Sequence, residues 1–304
     1  MRVATTVSIE RKPSQSANGH LLALVMAALA LVAAPWPCTA AVAARAPTVI
    51  PLEPYADAHW AFRAKVAGHE ELMVFDTGGG LTAITPQAAA ELGCQPWGQL
   101  TGFRMRGDRL DLKRCENVSI EANGLVIHFP TVGIWDFNHM LPQGVAPIAA
   151  NVGLDAFAGR VVTLDIAHRR LILETPRSLK TRTAHAKEVP VQFVDEVEGY
   201  SRTMMASLDT PKGRIWMGID SGDDVPITVG RHVAALLGLD PEKKGPQPMD
   251  ALLAGGVALH GSAYVKDIIF DGNVGAPILS KWIITVDLAR QHLWISPAEP
   301  ETLK

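Results

Sequence analysis

The chain contains two copies of one pattern, and that duplication constrains its fold more than any other feature. Asn151-Val152-Gly153 opens a segment running through Val161-Val162-Thr163-Leu164-Asp165-Ile166-Ala167 to Leu171-Ile172-Leu173. Asn273-Val274-Gly275 opens another, running through Ile283-Ile284-Thr285-Val286-Asp287-Leu288-Ala289 to Leu293-Trp294-Ile295, with Asn, Val, Gly, Thr, Asp, Ala and Leu all matching at a spacing of 122 residues. Upstream of each copy an apolar run enters Asp-Thr/Ser-Gly: Val74-Phe75-Asp76-Thr77-Gly78 and Met217-Gly218-Ile219-Asp220-Ser221-Gly222. These are 144 apart, so the first half holds 22 more residues between its aspartate and its Asn-Val-Gly. Two copies in the same order imply two similar lobes rather than a many-unit solenoid.

The local patterns are those of strands. Ala61 to Val66 and Leu72 to Phe75 predict a hairpin around Ala67-Gly68-His69-Glu70, and each Asp-Thr/Ser-Gly reads as a buried strand ending in a tight turn that carries a carboxylate. Pro86 to Leu92 predicts a short helix stopped by Gly93, repeated as Arg231 to Leu237 stopped by Gly238. Gly102 to Leu112, Val118 to Ile120 and Leu125 to Phe129 predict further strands, with turns at Gly107-Asp108 and Asn123-Gly124. Glu174 to Glu188 is charged, polar and aperiodic, which predicts a linker.

Two aspartates brought within a few ångströms cannot both ionise at modest cost. The pair shares one proton and offers an acid and a base together, the requirement for activating water against a peptide carbonyl. Asp76 and Asp220 are therefore the predicted catalytic pair, titrating as a unit. Gly78 and Gly222 let the backbone turn sharply beside them.

These motifs resemble those of pepsin-like and retroviral-type (retropepsin) aspartic proteases over roughly residues 50 to 297. Val152-Gly153-Leu154-Asp155-Ala156-Phe157 is similar to the retropepsin-type closing segment. The resemblance implies a mainly β fold of two similar acid-protease β-barrel lobes with a cleft between them, in a two-lobed bacterial single chain. It implies an aspartic-type endopeptidase acting on a peptide or protein substrate, a hydrolase without cofactor or metal. It also implies that Thr77 and Ser221 cross-link the two active-site loops by hydroxyl hydrogen bonds beneath the pair. The first lobe's Leu100 to Arg109 and the second lobe's Leu252 to Val257, tipped by Gly255 and Gly256, would be substrate-covering hairpins. Asp223-Asp224 resembles an acidic pair past the retroviral turn, making Asp224 a substrate contact. Where the family carries Ser, Thr or Ala after the turn glycine, this chain has Gly79 and Asp223. Gly79 removes a hydroxyl donor to Asp76, and Asp223 brings a third negative charge. Those departures favour the alternative, a non-catalytic periplasmic peptide- or ligand-binding protein on the same fold.

Arg2, Arg11 and Lys12 precede an apolar run from Leu21 to Ala34 and small residues ending in Ala41-Val42-Ala43, the form of a secretion signal. Such a run is short for a bilayer span. The expected organisation is a signal peptide over 1–43, a first lobe over 44–174, a linker over 175–188 and a second lobe over 189–304, in a periplasmic or secreted monomer without stable membrane insertion. Trp36-Pro37 before Cys38 departs from a lipid-attachment context. The other cysteines, Cys94 and Cys115, both fall in the first lobe and read as a disulfide or as two buried thiols.

Other chemistries are excluded by what the residues lack. A net charge of −3 is not the footprint of a nucleic-acid binder. The ten histidines show no ligand spacing. Gly78-Gly79-Gly80 lacks the Gly-Lys-Ser/Thr ending of a phosphate loop. Ser201, Ser221, Ser262 and Ser280 lack a Gly-x-Ser-x-Gly setting. Asn117-Val118-Ser119 matches a glycosylation sequon and reads as a strand start.

Overall fold

A computed structural model describes residues 46–56 and 58–298. The proposed signal peptide and Cys38 lie outside the described residues. The fold is mainly β, in three sheets.

Strand His59–Val66 buries Phe62, Ala64 and Val66 and exposes Arg63 and Lys65. This is the alternation of a strand with one face on the core. It turns through Ala67 and Gly68, both with positive φ, into His69–Phe75, whose last three residues are all buried as the strand enters the centre. The turn is thus two residues long, tighter than the four-residue turn the sequence suggests, because positive φ at both positions suits the twist of the flanking strands.

In spatial order the first-half sheet continues with Ala150–Val152, Ala83–Ile84, Leu125–Ile134 and Arg109–Ala122, and a pairing of Lys65 with Glu121 closes it into a barrel. The second-half sheet runs Thr203–Thr210, Gly213–Asp220, Gly272–Gly275, Ile227–Gly230, Val257–Lys266 and Pro246–Leu253, and a pairing of Leu208 with Leu253 closes it. The two orders correspond strand for strand. Most of the extra first-half length lies in the hairpin formed by Trp97–Phe103 with the start of Arg109–Ala122 and in the segment 135–149 ahead of Ala150–Val152.

A third sheet joins the halves. Its central strands, Val161–Asp165 and Trp282–Asp287, pair antiparallel so that Thr163 faces Thr285. These are equivalent positions of the repeat, and their hydroxyls meet at 2.9 Å. Each copy therefore faces the other across a local two-fold relation. Where the sequence suggests an aperiodic linker, Pro176–Thr183 forms a helix, started by a reciprocal capping box between Thr175 and Ser178.

Cys94 and Cys115 form a disulfide with their Cα atoms 6.1 Å apart, tying the end of the helix Pro86–Glu91 to the long strand Arg109–Ala122. Such a bond persists in an oxidising compartment, consistent with an exported, secreted type of protein. Among the described residues no helix is long and apolar enough to cross a membrane.

Candidate functional site

The strands His69–Phe75 and Gly213–Asp220 each run parallel to a short neighbour, Ala150–Val152 and Gly272–Gly275. Both end at the floor of a cleft of roughly 520 Å³ lined from both halves of the chain. Beneath the floor the turns are cross-braced. The Thr77 amide donates to Ser221 Oγ at 3.0 Å, and the Ser221 amide donates to Thr77 Oγ1 at 3.0 Å. Each hydroxyl passes its own proton to the opposite strand, Thr77 Oγ1 to the Ile219 carbonyl at 2.6 Å and Ser221 Oγ to the Phe75 carbonyl at 3.1 Å. Both residues are buried and every one of these groups is paired, so the brace holds without an orphaned donor.

Above the brace stand Asp76 and Asp220. The Gly78 amide donates to Asp76 Oδ1 and the Gly222 amide to Asp220 Oδ1, each at 2.9 Å. Neither glycine has a positive φ, so backbone freedom does not account for them. A Cβ at Gly78 would run into the Asp220 carboxyl, and one at Gly222 into that of Asp76. The glycines allow each turn to lie against the opposite carboxylate.

Burial, then the Asp76 carboxyl, push Asp220 well above the usual carboxylate range; Asn273 opposes the shift and Asp223 adds to it. The pair therefore retains a proton where isolated aspartates would have lost theirs.

Asn151 and Asn273 were not among the predicted site residues. Asn151 Nδ2 donates to Asp76 Oδ2 at 3.0 Å and Asn273 Nδ2 to Asp220 Oδ2 at 2.9 Å. Their signal was already present in the repeat, whose first matching residue is this asparagine. A Cβ at Gly79 would lie 2.8 Å from Asn151 Nδ2 and 2.9 Å from Asp76 Oδ2. A hydroxyl-bearing side chain has no room there, and the amide of Asn151 supplies the donor that Gly79 lacks.

Three expectations are corrected. Gly255 and Gly256 do not line the cleft: the tip of their hairpin packs on the segment before the second-half barrel, where a Cβ at Gly255 would strike the Glu188 carbonyl and Lys187 bonds to the Gly256 carbonyl. Asp224 is exposed and is not a cleft-lining residue. Only the first-half hairpin reaches the cleft, through Gly102, Phe103, Arg104 and Met105, because that hairpin carries the extra residues. The Ile269 amide bonds to the Met105 carbonyl at 3.0 Å, and Arg114 pairs with Glu198 at 3.2 Å. The hairpin thus contacts second-half residues near its tip and at its base. Trp135, Phe137, Met204 and Met205 complete an apolar wall that periodicity did not reveal. Among the described residues no group of three or more His, Cys, Asp or Glu side chains is placed to hold a metal ion.

No protein-family model matches the chain, and no curated protein matches it. Among solved structures it is similar to basic 7S globulin from soybean, at 10% identity over 84% of this chain and 96% of that one, with a TM-score of 0.55. It is also similar to conglutin gamma, a basic 7S globulin from lupine seeds, at 9% identity over 83% of this chain and 95% of that one, with a TM-score of 0.55. At such identity the likeness is one of fold. These findings overturn the expected membership of the retropepsin-like and pepsin-like aspartic proteases, since both of these structures are basic 7S globulins. The expected endopeptidase activity falls with it, as do the hydrolase and protease descriptions and the alternative drawn from the same resemblance, a non-catalytic periplasmic peptide- or ligand-binding protein. A motif of a few residues around each aspartate specifies a turn and a carboxylate, and a fold can keep both without the activity.

Proposed function

We propose that Asp76 and Asp220 form an acid–base centre that gives a proton to, and takes one from, a single polar group of a molecule held in the cleft. The observation that carries this reading is the pair itself: two carboxyls set against each other on a cross-braced floor, with Asp220 held well above the usual carboxylate range by burial and by its neighbour. A protonated carboxyl donates and its ionised partner accepts, so the pair suits an uncharged hydroxyl or amine nitrogen placed between them. The apolar wall of Leu81, Trp135, Phe137, Met204 and Met205 suits an aliphatic or aromatic body attached to that group.

In the same reading, residues 44–174 and 189–304 are two like lobes flanking one cleft, joined through 175–188. One chain supplies both carboxylates, so no second copy is needed to complete the site. The compartment is the periplasm or the exterior, which the disulfide supports.

The test uses the two cleft methionines as reporters. Methyl-labelled protein is screened with small hydroxyl- and amine-bearing aliphatic and aromatic compounds, and the Met204 and Met205 signals are followed by NMR. Compounds that shift them should lose at least about tenfold in affinity in Asp76→Asn, which removes the ionised acceptor, the loss expected for a charge-assisted hydrogen bond of roughly 1.5–3 kcal/mol. Equal affinity in the variant, or ordinary and independent titration of both aspartates in the unmodified protein, sinks the reading.

A further inference from the structure

We propose that Asp223 is a third member of the carboxylate site, oriented by Asn273, and that its charge places the shared proton on Asp220 rather than on Asp76. The inference rests on the reading that the pair shares a proton, and it assigns the partner that holds it.

Asp76, Gly79 and Asn151 in the first half correspond to Asp220, Asp223 and Asn273 in the second. In the first half one amide serves one carboxylate, and the position beside it is a glycine closely approached by both. In the second half the same position carries a carboxylate. Asn273 Nδ2 lies 2.9 Å from Asp220 Oδ2 and 2.9 Å from Asp223 Oδ2, so both amide hydrogens are given to carboxylates. The orientation of that amide follows from its partners, because an oxygen there would face two carboxylate oxygens and no donor.

Asp223 is held in place. Its Oδ1 accepts from the Val225 amide at 3.0 Å and its carbonyl accepts from the Ala276 amide at 2.9 Å. Its charge therefore stays on the Asp220 side of the pair, where a nearby negative charge favours the protonated carboxyl. The other charged side chains lining the cleft are Arg104 and Glu196, while Asp224 is exposed outside it. Asp223 has no charged counterpart in the first half, where Gly79 stands at the equivalent place. Asn273 orients it and is a positioning residue. It touches Asp220 with the same atom that bonds Asp223.

A merely structural Asp223 would be an acceptor for the Val225 amide, a role that Asn fills equally well. The carboxyl carbons of labelled aspartates are therefore titrated by NMR in the unmodified protein, in Asp223→Asn and in Asp223→Gly, the last reproducing the first-half residue. Asp76→Asn and Asp220→Asn assign the signals. The Asp220 midpoint should fall by about one pH unit in both Asp223 variants and move more than that of Asp76. Asn273→Ala should shift it the opposite way, upward, by removing a donor to the charged form. An unmoved Asp220 midpoint in both Asp223 variants, with a raised carboxyl still present, overturns this inference and leaves the shared-proton reading standing. Absence of any raised carboxyl in the unmodified protein overturns both.

Discussion

The two halves share a scaffold and differ in what they hang on it. Their barrels follow one strand order and their Asp-Thr/Ser-Gly turns bond reciprocally, Thr77 to Ser221 and Ser221 to Thr77. Past that point they diverge. The first half adds the covering hairpin and the disulfide, while the second adds the extra charge of Asp223. The helical turn after Asn-Val-Gly shows the same divergence. In the first half Asp155 accepts from the Thr82 amide and hydroxyl, and the Gly153 amide bonds to Thr82 Oγ1 at 3.0 Å. At the equivalent places the second half has Pro277 and Pro226, and the Gly275 amide goes to the Pro226 carbonyl at 3.0 Å instead. One geometry is met by a half-buried carboxyl on one side and by backbone on the other. A duplicated fold can thus hold its architecture while its polar groups specialise.

The largest test of that contrast is pH. Burial pushes the Asp155 carboxyl up to about 7, against the opposing hydrogen bonds from Thr82. A carboxyl whose folded pKa is raised contributes stability that is fully present below its unfolded pKa and is lost as pH rises through the folded value. Between about pH 4 and pH 7 the protein should therefore lose on the order of a few kcal/mol from this group. Asp155→Asn should flatten that part of the stability profile measured by urea unfolding, and an unchanged slope would show that Asp155 ionises freely.

The disulfide distinguishes the halves next. Its cysteines are 21 residues apart, and closing a loop of that length is worth about 3 kcal/mol by unfolded-state entropy. Paired Cys94→Ser and Cys115→Ser substitutions should lower stability by about that amount. Hydrogen exchange should rise in the first-half barrel ahead of the second. Uniform loss of protection would mean that the halves unfold as one unit.

Two glycines sharpen the comparison further. Gly222→Ala and Gly255→Ala both force a Cβ onto occupied space, the Asp76 carboxyl in one case and the Glu188 carbonyl in the other. Each should cost roughly 1–3 kcal/mol by overpacking. Only Gly222→Ala should also separate the carboxylates and bring the Asp220 midpoint down. A matching titration change in Gly255→Ala would return the second hairpin to the site.

Much of the site could be read from particular residues. Asp76 and Asp220 lie at equivalent repeat positions, and a duplicated carboxylate turn is visible without coordinates. Asn151 and Asn273 were equally visible as the opening residue of the repeat, but a lone asparagine on a short strand carries no chemistry until its neighbour is known. Gly255 and Gly256 misled for the converse reason: a glycine-tipped hairpin reads the same whether it covers a cleft or packs on a strand. Asp224 gave no warning either, since residues 223 and 224 differ only in which way the turn sends each side chain.

The amino-acid sequence by itself determined the strand-rich duplication, the two turns that carry carboxylates and the extra length of the first half, because these follow from local periodicity and from matching residues at constant spacing. Only the tertiary structure decided that the extra length roofs the cleft, that each turn glycine lies against the opposite carboxylate, and that Asn273 joins Asp220 to Asp223. These are contacts between residues at least 50 positions apart in the chain. Their energies depend on distances of a few ångströms that no local pattern specifies.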